Sequence, residues 1–484
     1  MWQMRVVYAV LTVTPLLACA EAGSTLVGLP GPLPESPANL VAAPLPEPFV
    51  SKRETLPLPS ELLDARQPLT LAQIIDLGLR QSPETRATWH AARAAAAKVG
   101  SARAPYWPTL DASANLARSS TSALGGRFVV EQTTYGPSLS LSYLLLDFGG
   151  RGAGLDQARA ALTVANWSHN AAVQQVILGV QQSYYDYADA LARHEAATAS
   201  LHEAETSLTS AMERLDEGVA TQLEVLQART ALSQARLVQQ QLSGRINSLK
   251  GALAVNLGLP ANTPMAVEGL PTEVPVVAVN YSVAALIDQA LTERPDLVAA
   301  RANVNTARAR VTITRASGLP ALSLVGQAGR GYYEPHPYAR YGDSWSAGLV
   351  LRIPLFSGLS TPYDVSQAES LAAVAEAHVD RLAQRVALEV WQSYYDVKTA
   401  GEAVTTAGDL VASASQAERV AAGRYQEGVG DFLDLLTAQS ILASARATEI
   451  AARSDWFVSV ARLAHAMGAA SLDHFWSPPD ATPR

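Results

Sequence analysis

The sequence predicts a mainly α fold with a small β part, in which a long helical hairpin carrying a β-hairpin at its far end occurs twice. Three observations predict it: short motifs recur about 210 positions apart, long proline-free stretches follow a helical pattern, and four short stretches alternate with a period of two.

The repeat comes first. Gln182-Ser183-Tyr184-Tyr185-Asp186 returns as Gln392-Ser393-Tyr394-Tyr395-Asp396, 210 positions on, and Arg214 with Glu217-Gly218-Val219 returns as Arg424 with Glu427-Gly428-Val429 at the same offset. Upstream, Ile75-Asp76, Pro83 and Pro108 answer to Ile287-Asp288, Pro295 and Pro320 at an offset of 212. The chain therefore reads as a first repeat over 69–258, a proline-rich linker over 259–280, a second repeat over 281–468 and a tail over 469–484.

Ahead of the repeats, Arg5 followed by the apolar run Val6 to Leu17 and several small residues reads as an export signal over 1–22. The proline-rich stretch 23–68 is expected to be extended and to wrap the outside of the assembly near the membrane. Cys19 is the only cysteine, which excludes an intrachain disulfide. Leu16-Leu17-Ala18-Cys19 resembles a lipoprotein cleavage box, making Cys19 a lipidation candidate; ordinary cleavage after Ala20 or Ala22 is the alternative.

Within each repeat a short helix (about Leu71 to Arg80, and Val283 to Thr292) precedes a second that begins at a proline, with Ser82 as N-cap before Pro83. Pro108 and Pro320 end the helical pattern. Leu110, Ala112, Ala114 and Leu116 then alternate with Asp111, Ser113 and Asn115, and Leu139, Leu141, Tyr143 and Leu145 with serines, giving a hairpin over about 109–146. In the second copy Ala347, Leu349, Leu351, Ile353 and Leu355 alternate with Ser346, Gly348 and Arg352, and Leu322 and Leu324 begin a weaker partner strand, giving a hairpin over about 321–356. The long helices follow, about 100 Å of rod each at 1.5 Å per residue. They turn at Gly218 and Gly428, suited to left-handed C′ positions, with Thr221 and Glu224 as a capping box and Asp431 as an N-cap for the returning helices.

Four strands with one apolar face cannot stand open in hydrocarbon, since their edges would leave backbone groups unpaired. They must close with copies of the same chain, and three copies give a twelve-stranded transmembrane β-barrel continued by a trimeric α-barrel. Tyr106, Trp107, Tyr332, Tyr333, Tyr338, Tyr341 and Trp345 fit interfacial girdles, the alternative being packing in a soluble sandwich. No stretch after the leader is apolar and long enough for a membrane-spanning helix.

A net charge of −8 without a Lys/Arg-rich block excludes a nucleic-acid footprint. The eight histidines are scattered, with no HExxH spacing, Cys cluster or GxSxG elbow, so neither enzyme, metal site nor cofactor is expected. Asp147-Phe148-Gly149 mimics a kinase triplet but lacks the lysine-bearing strand and catalytic loop.

The duplicated pattern, Pro83 and Pro295, the strand ends Leu144-Leu145-Leu146-Asp147-Phe148-Gly149 and Pro354-Leu355-Phe356-Ser357-Gly358, and the paired Glu-Gly-Val turns resemble the outer-membrane efflux protein family, typified by TolC, over about Leu69 to Gly468. Arg424 to Gln439 looks closest to the ducts serving type I secretion of large toxins such as adenylate cyclase–haemolysin. The resemblance implies a trimeric exit duct of a tripartite efflux pump or type I secretion system. Such a duct sits in outer-membrane lipid, extends into the periplasm, and docks on a periplasmic adaptor (membrane fusion protein) and an inner-membrane pump of the RND or ABC class. A lipid-anchored periplasmic scaffold is the alternative, and would need no alternating strands.

The resemblance also implies an iris at the helix turns, with Tyr425 matching the family's gating tyrosine and Asp434 an aspartate of the constriction. Gly430 stands where the type member has an arginine and Thr437 where a second aspartate is common, so the latch is expected to be weaker or built differently. Asp431 reads either as part of a carboxylate ring or as a simple N-cap. Gly218, Val219, Gly428 and Val429 read as adaptor-docking turns or as purely conformational needs. Arg352 is expected on the lumen side, or in a salt bridge at the barrel end.

Overall fold

The computed structural model describes residues 68–469, apart from 124, 126, 276–281 and 336–339. The leader, Cys19, nearly all of the proline-rich segment and the tail beyond 469 lie outside the described residues.

The first repeat comprises α1 (Leu71–Gln81), α2 (Pro83–Ala102), β1 (Thr109–Ala123), β2 (Phe128–Leu146), α3 (Gly150–Asp216) and α4 (Gln222–Asn256). The second comprises α5 (Val283–Glu293), α6 (Pro295–Ser317), β3 (Ala321–Glu334), β4 (Tyr341–Arg352), α7 (Ser360–Gln426) and α8 (Phe432–Ala466). The duplication is metric: α3 and α7 both have 67 residues and α4 and α8 both have 35. None of the described helices is long and apolar enough to cross a membrane.

The helix ends follow their sequence signals. Ser82 accepts from the Glu84 amide ahead of Pro83, and the Thr221–Glu224 capping box is complete. The short helices are held where the repeats fold back. Ile74 and Leu77 pack with Val180, Tyr184, Leu253 and Leu257, while Leu286 and Ala290 pack with Val386, Val390, Leu463 and Met467. The proline-rich stretch after α4 is part of the first of these cores: Met265, Val267 and Leu270 are buried, and Leu69 exchanges backbone hydrogen bonds with Ala266 and Glu268 at 3.0 and 3.1 Å.

The joint of the second repeat is different. Where the first has Ser82, the second has Arg294, only 7% exposed. Its guanidinium reaches Asp296 at 3.0 Å, Glu389 of α7 at 2.5 Å and the Ala466 carbonyl at the end of α8 at 3.3 Å. Half-buried beside it, His465 has its pKa lowered by desolvation and by Arg294, against the pull of Glu389 and Asp296.

The strands form one antiparallel sheet in the order β1-β2-β3-β4. Its register carries apolar rows across all four strands, such as Leu110–Leu141–Gly326–Ala347 and Ala112–Leu139–Ala328–Trp345. The opposite face is mostly Ser, Thr, Gly, Asn and Gln, with Asp111 and a few apolar residues such as Val325 and Val350, and Ser113 and Ser138 are hydrogen-bonded on it at 2.8 Å. Arg352 falls on that polar face, as the alternation predicts. β4 ends at Arg352, so Ile353 and Leu355, read as its last apolar positions, lie past the strand; Pro354 has no amide to continue the ladder. Tyr135, Tyr332 and Tyr341 form an aromatic row on the apolar face, centroids 5.2 and 6.2 Å apart. Tyr333, expected in that girdle, has the other parity and lies over Gly331 and Gly342 on the polar face. The apolar face also carries two ion pairs, Arg118 to Glu131 at 3.0 Å and Arg330 to Asp343 at 2.6 Å, the Arg330 guanidinium lying over the Tyr341 ring.

α3 is the central stave. Its N-terminal half lies between α2 and α6, and its C-terminal half between α4 and α8. α7 packs on α5, α6 and α8 and leaves its other flank open, exposing Leu371, Val374, Leu388, Trp391, Leu410 and Val420.

Candidate functional site

The predicted site residues converge at the two helix turns farthest from the sheet. α3 ends in a Schellman motif: Gly218, at φ 76°, donates to the Leu215 carbonyl at 2.9 Å and Val219 to that of Arg214 at 2.9 Å. α7 repeats it, with Gly428 at φ 75° donating to Tyr425 and Val429 to Arg424. A Cβ on either glycine would meet nothing, so the backbone angle alone requires glycine. Val219 and Val429 are 64% and 70% exposed, two apolar side chains at the apices.

Tyr425 lies between the tips. It is 6% exposed and packs on Phe432 at 5.1 Å, in a cluster with Ala211, Val225 and Leu435. The Arg214 guanidinium stacks on its ring at 4.6 Å, and its hydroxyl donates to Glu224 Oε2 at 3.4 Å. Burial raises the phenol's pKa, Glu224 adding to the shift and Arg214 opposing it, so the hydroxyl stays protonated and donates at neutral pH. The other Glu224 oxygen accepts from the Thr221 amide at 3.1 Å. One carboxylate thus caps α4 and holds Tyr425. Nearby, Ser207 and Gln439 hydrogen-bond at 3.1 and 3.3 Å, and Glu203 pairs with Arg446 at 3.1 Å.

The remaining residues stand apart from this cluster. Asp431 caps α8, accepting from the Leu433 amide at 3.0 Å. Asp434 and Thr437 are exposed on the next turns. Asp434 lines an open cleft of about 620 Å³ with Ser413, Ala417, Arg424 and Gly430. Gly430 has no room for a side chain, since a Cβ there would lie 2.9 Å from the Arg424 Cβ and 3.1 Å from the Tyr425 nitrogen. The cation that reaches Tyr425 comes from Arg214 instead. Sequence reasoning assigns Glu224 to the cap alone and gives Arg214 no role; the signal lay in the repeat, where they are the mates of Asp434 and Arg424, 210 positions on. Among the described residues, no three His, Cys, Asp or Glu side chains are grouped to hold a metal.

A sheet apolar on one face and largely hydroxylated on the other, continued by helical staves about 100 Å long that end in polar turns, has the architecture of an outer-membrane channel protein. The chain belongs to the outer membrane efflux protein family, whose profile matches residues 74–258 and 286–469. It is 31% identical over 391 residues to Protein CyaE of Bordetella pertussis, covering 81% of each chain. It is 27% identical over 410 residues to the solvent efflux pump outer membrane protein SrpC of Pseudomonas putida, covering 82% of this chain and 85% of that one. The fold is shared with the outer-membrane channel OprN (TM-score 0.75, 21% identity, covering 82% of this chain and 90% of that one). It is shared also with the outer membrane protein VceC of Vibrio cholerae (TM-score 0.73, 22% identity, covering 82% and 96%). The protein is thus an efflux or secretion channel of the outer membrane that extends into the periplasm, in a family of channel proteins rather than enzymes.

Proposed function

We propose that three copies of this chain form a passive exit duct that receives substrate from an inner-membrane pump through a periplasmic adaptor. The observation that carries the trimer is the broken symmetry of the helices. α3 has partners from the second repeat, α6 and α8, along its whole length. By the internal duplication α7 requires α2 and α4 in the same places, and within its own chain α7 packs along neither, touching α4 at the tip through Tyr425 and Glu224. The next copy supplies them, and the exposed apolar residues of α7, with Leu223, Leu226 and Leu237 of α4, are the surfaces that meet. The strand edges β1 and β4 close in the same way, twelve strands in all.

In this reading the helix tips are the constriction. Tyr425 holds the tips together through Glu224 and Arg214, Asp431 caps α8, and Asp434 and Thr437 face the opening. Val219 and Val429, raised on Gly218 and Gly428, are what the adaptor meets. The native mass of particles extracted from outer membranes in mild detergent tests the assembly: about three times the chain mass supports it, and a monomer sinks it. In planar bilayers Asp434→Ala is expected to lower cation selectivity, and unchanged selectivity would remove Asp434 from the constriction.

A further inference from the structure

We propose that Arg352 of one copy pairs with Asp111 of the next across the strand seam that closes the barrel, so that three ion pairs between copies ring the lumen at the helix end of the sheet. The inference rests on the trimeric reading and adds the register of the seam and the side chains that hold it.

The polar face of the sheet is nearly free of charge. Among the described strand residues on the face of Ser113 and Ser138, only Asp111 and Arg352 are charged. They have opposite signs and stand on the two edge strands, Asp111 near the start of β1 and Arg352 at the end of β4. Both are exposed, and neither side chain has an ion-pair or hydrogen-bond partner among the described residues.

The ion pairs of the apolar face, Arg118–Glu131 and Arg330–Asp343, each join the two strands of one hairpin. Asp111 and Arg352 cannot meet that way. β2 and β3 lie between their strands, which puts the edges about 14 Å apart at the usual strand spacing. Asp147, which lines a cleft with Arg352 at the end of the sheet, is already engaged: it accepts from the Arg151 amide and lies 3.7 Å from the Arg151 guanidinium.

The duplication fixes how the two edges meet. Leu110 opposite Leu141 in the first hairpin becomes Leu322 opposite Leu351 in the second, so β1 maps onto β3 at an offset of 212 and β2 onto β4 at an offset of 210. The pairing of β2 with β3 is then the template for β4 against β1 of the next copy. Ser142 opposite Val325 becomes Arg352 opposite Ser113, and Leu144 opposite Ser323 becomes Pro354 opposite Asp111. Arg352 therefore lies one diagonal step from Asp111 on the same face, a separation of about 7 Å that a long side chain spans. Pro354 brings no amide to the ladder at that point, so the side-chain pair holds the seam where the backbone bonds stop. A slip of one residue would put the two charges on opposite faces, and a slip of two that set Arg352 opposite Asn115 would carry Asp111 out of reach.

Two experiments test this. In the first, Asp111→Arg, Arg352→Asp and the double exchange are compared by stepwise warming of detergent-extracted particles before electrophoresis. Each single change sets like charges against each other at all three seams and is expected to lower the temperature at which trimers dissociate. The double exchange is expected to recover most of that loss. Single changes without effect, or losses that simply add in the double exchange, overturn the proposal. In the second, Arg352→Cys is combined with Ser113→Cys or with Asn115→Cys and oxidised, beside the unsubstituted chain, which carries only Cys19. The Ser113 combination is expected to migrate as linked copies on a denaturing gel, because the edges of one chain are too far apart for a disulfide within it. Trimeric particles that link better through Asn115, or not at all through Ser113, overturn the register. A monomeric native mass would instead overturn the trimeric reading on which it stands.

Discussion

The hydroxyl of Tyr425 donates to Oε2 of Glu224 at 3.4 Å, joining the last turn of α7 to the first turn of α4 across the seam between the repeats. Tyr425→Phe removes that hydrogen bond and keeps the ring under Arg214. It is expected to cost about 1 kcal/mol of closed-state stability and to raise single-channel conductance. Glu224→Ala removes the acceptor and the α4 cap together, and a cost of about 2 kcal/mol is expected. Thermal unfolding and bilayer recordings check both.

The glycines of the second tip separate two causes of strain. Gly428→Ala meets open space but must hold φ at 75°, a cost of about 1 kcal/mol. Gly430→Ala has no such angle to hold, yet its Cβ would press on Arg424 at 2.9 Å and on the backbone behind it. Asn at 428 is expected to recover much of the loss, since it tolerates the left-handed region, and Asn at 430 to recover none. Unfolding midpoints of the four variants decide.

Arg294→Ala would leave Asp296, Glu389 and the Ala466 carbonyl without their cation at a buried joint. A loss of about 3 kcal/mol is expected, seen as a lower unfolding temperature in detergent.

His465 gives a pH dependence of defined sign. Its pKa is lowered in the folded chain, so its contribution is present above the ordinary histidine value of 6.5 and is lost as pH falls through the folded value. The duct is expected to lose thermal stability as pH drops below 6.5, and His465→Gln to flatten that part of the curve. An unchanged slope would remove His465 as its source.

On the apolar face of the barrel, Arg330 and Asp343 neutralise each other at 2.6 Å. Either single change to Ala strands a charge toward lipid and is expected to reduce the yield of assembled particles; the double change is expected to restore it. Electrophoresis of unheated membrane samples reads the outcome.

Much of this fold was legible because the duplication writes each element twice. Two copies of Glu-Gly-Val located both tips, and the two-residue alternation located the sheet and its apolar face. Strand ends and parity were less legible: the apolar pattern ran on past Pro354 to Leu355, and Tyr333 looked like one more girdle residue until its pairing placed it on the polar face. At the candidate site the family resemblance singled out Tyr425 and Asp434, and local pattern singled out Asp431 as an N-cap, but neither pointed to the Arg214 and Glu224 that meet Tyr425.

What the sequence determined by itself is therefore whatever depends on local chemistry: helix starts and stops, turns that require glycine, alternation of faces, and the repeat. What only the tertiary structure decided is which residues meet across it. Arg214 and Tyr425 stand 211 positions apart in the chain, and Arg294 lies far from Glu389 and Ala466. Periodicity fixes the face a side chain occupies on its own helix. The residue opposite depends on how two long helices slide and rotate against each other, and packing along their whole length sets that.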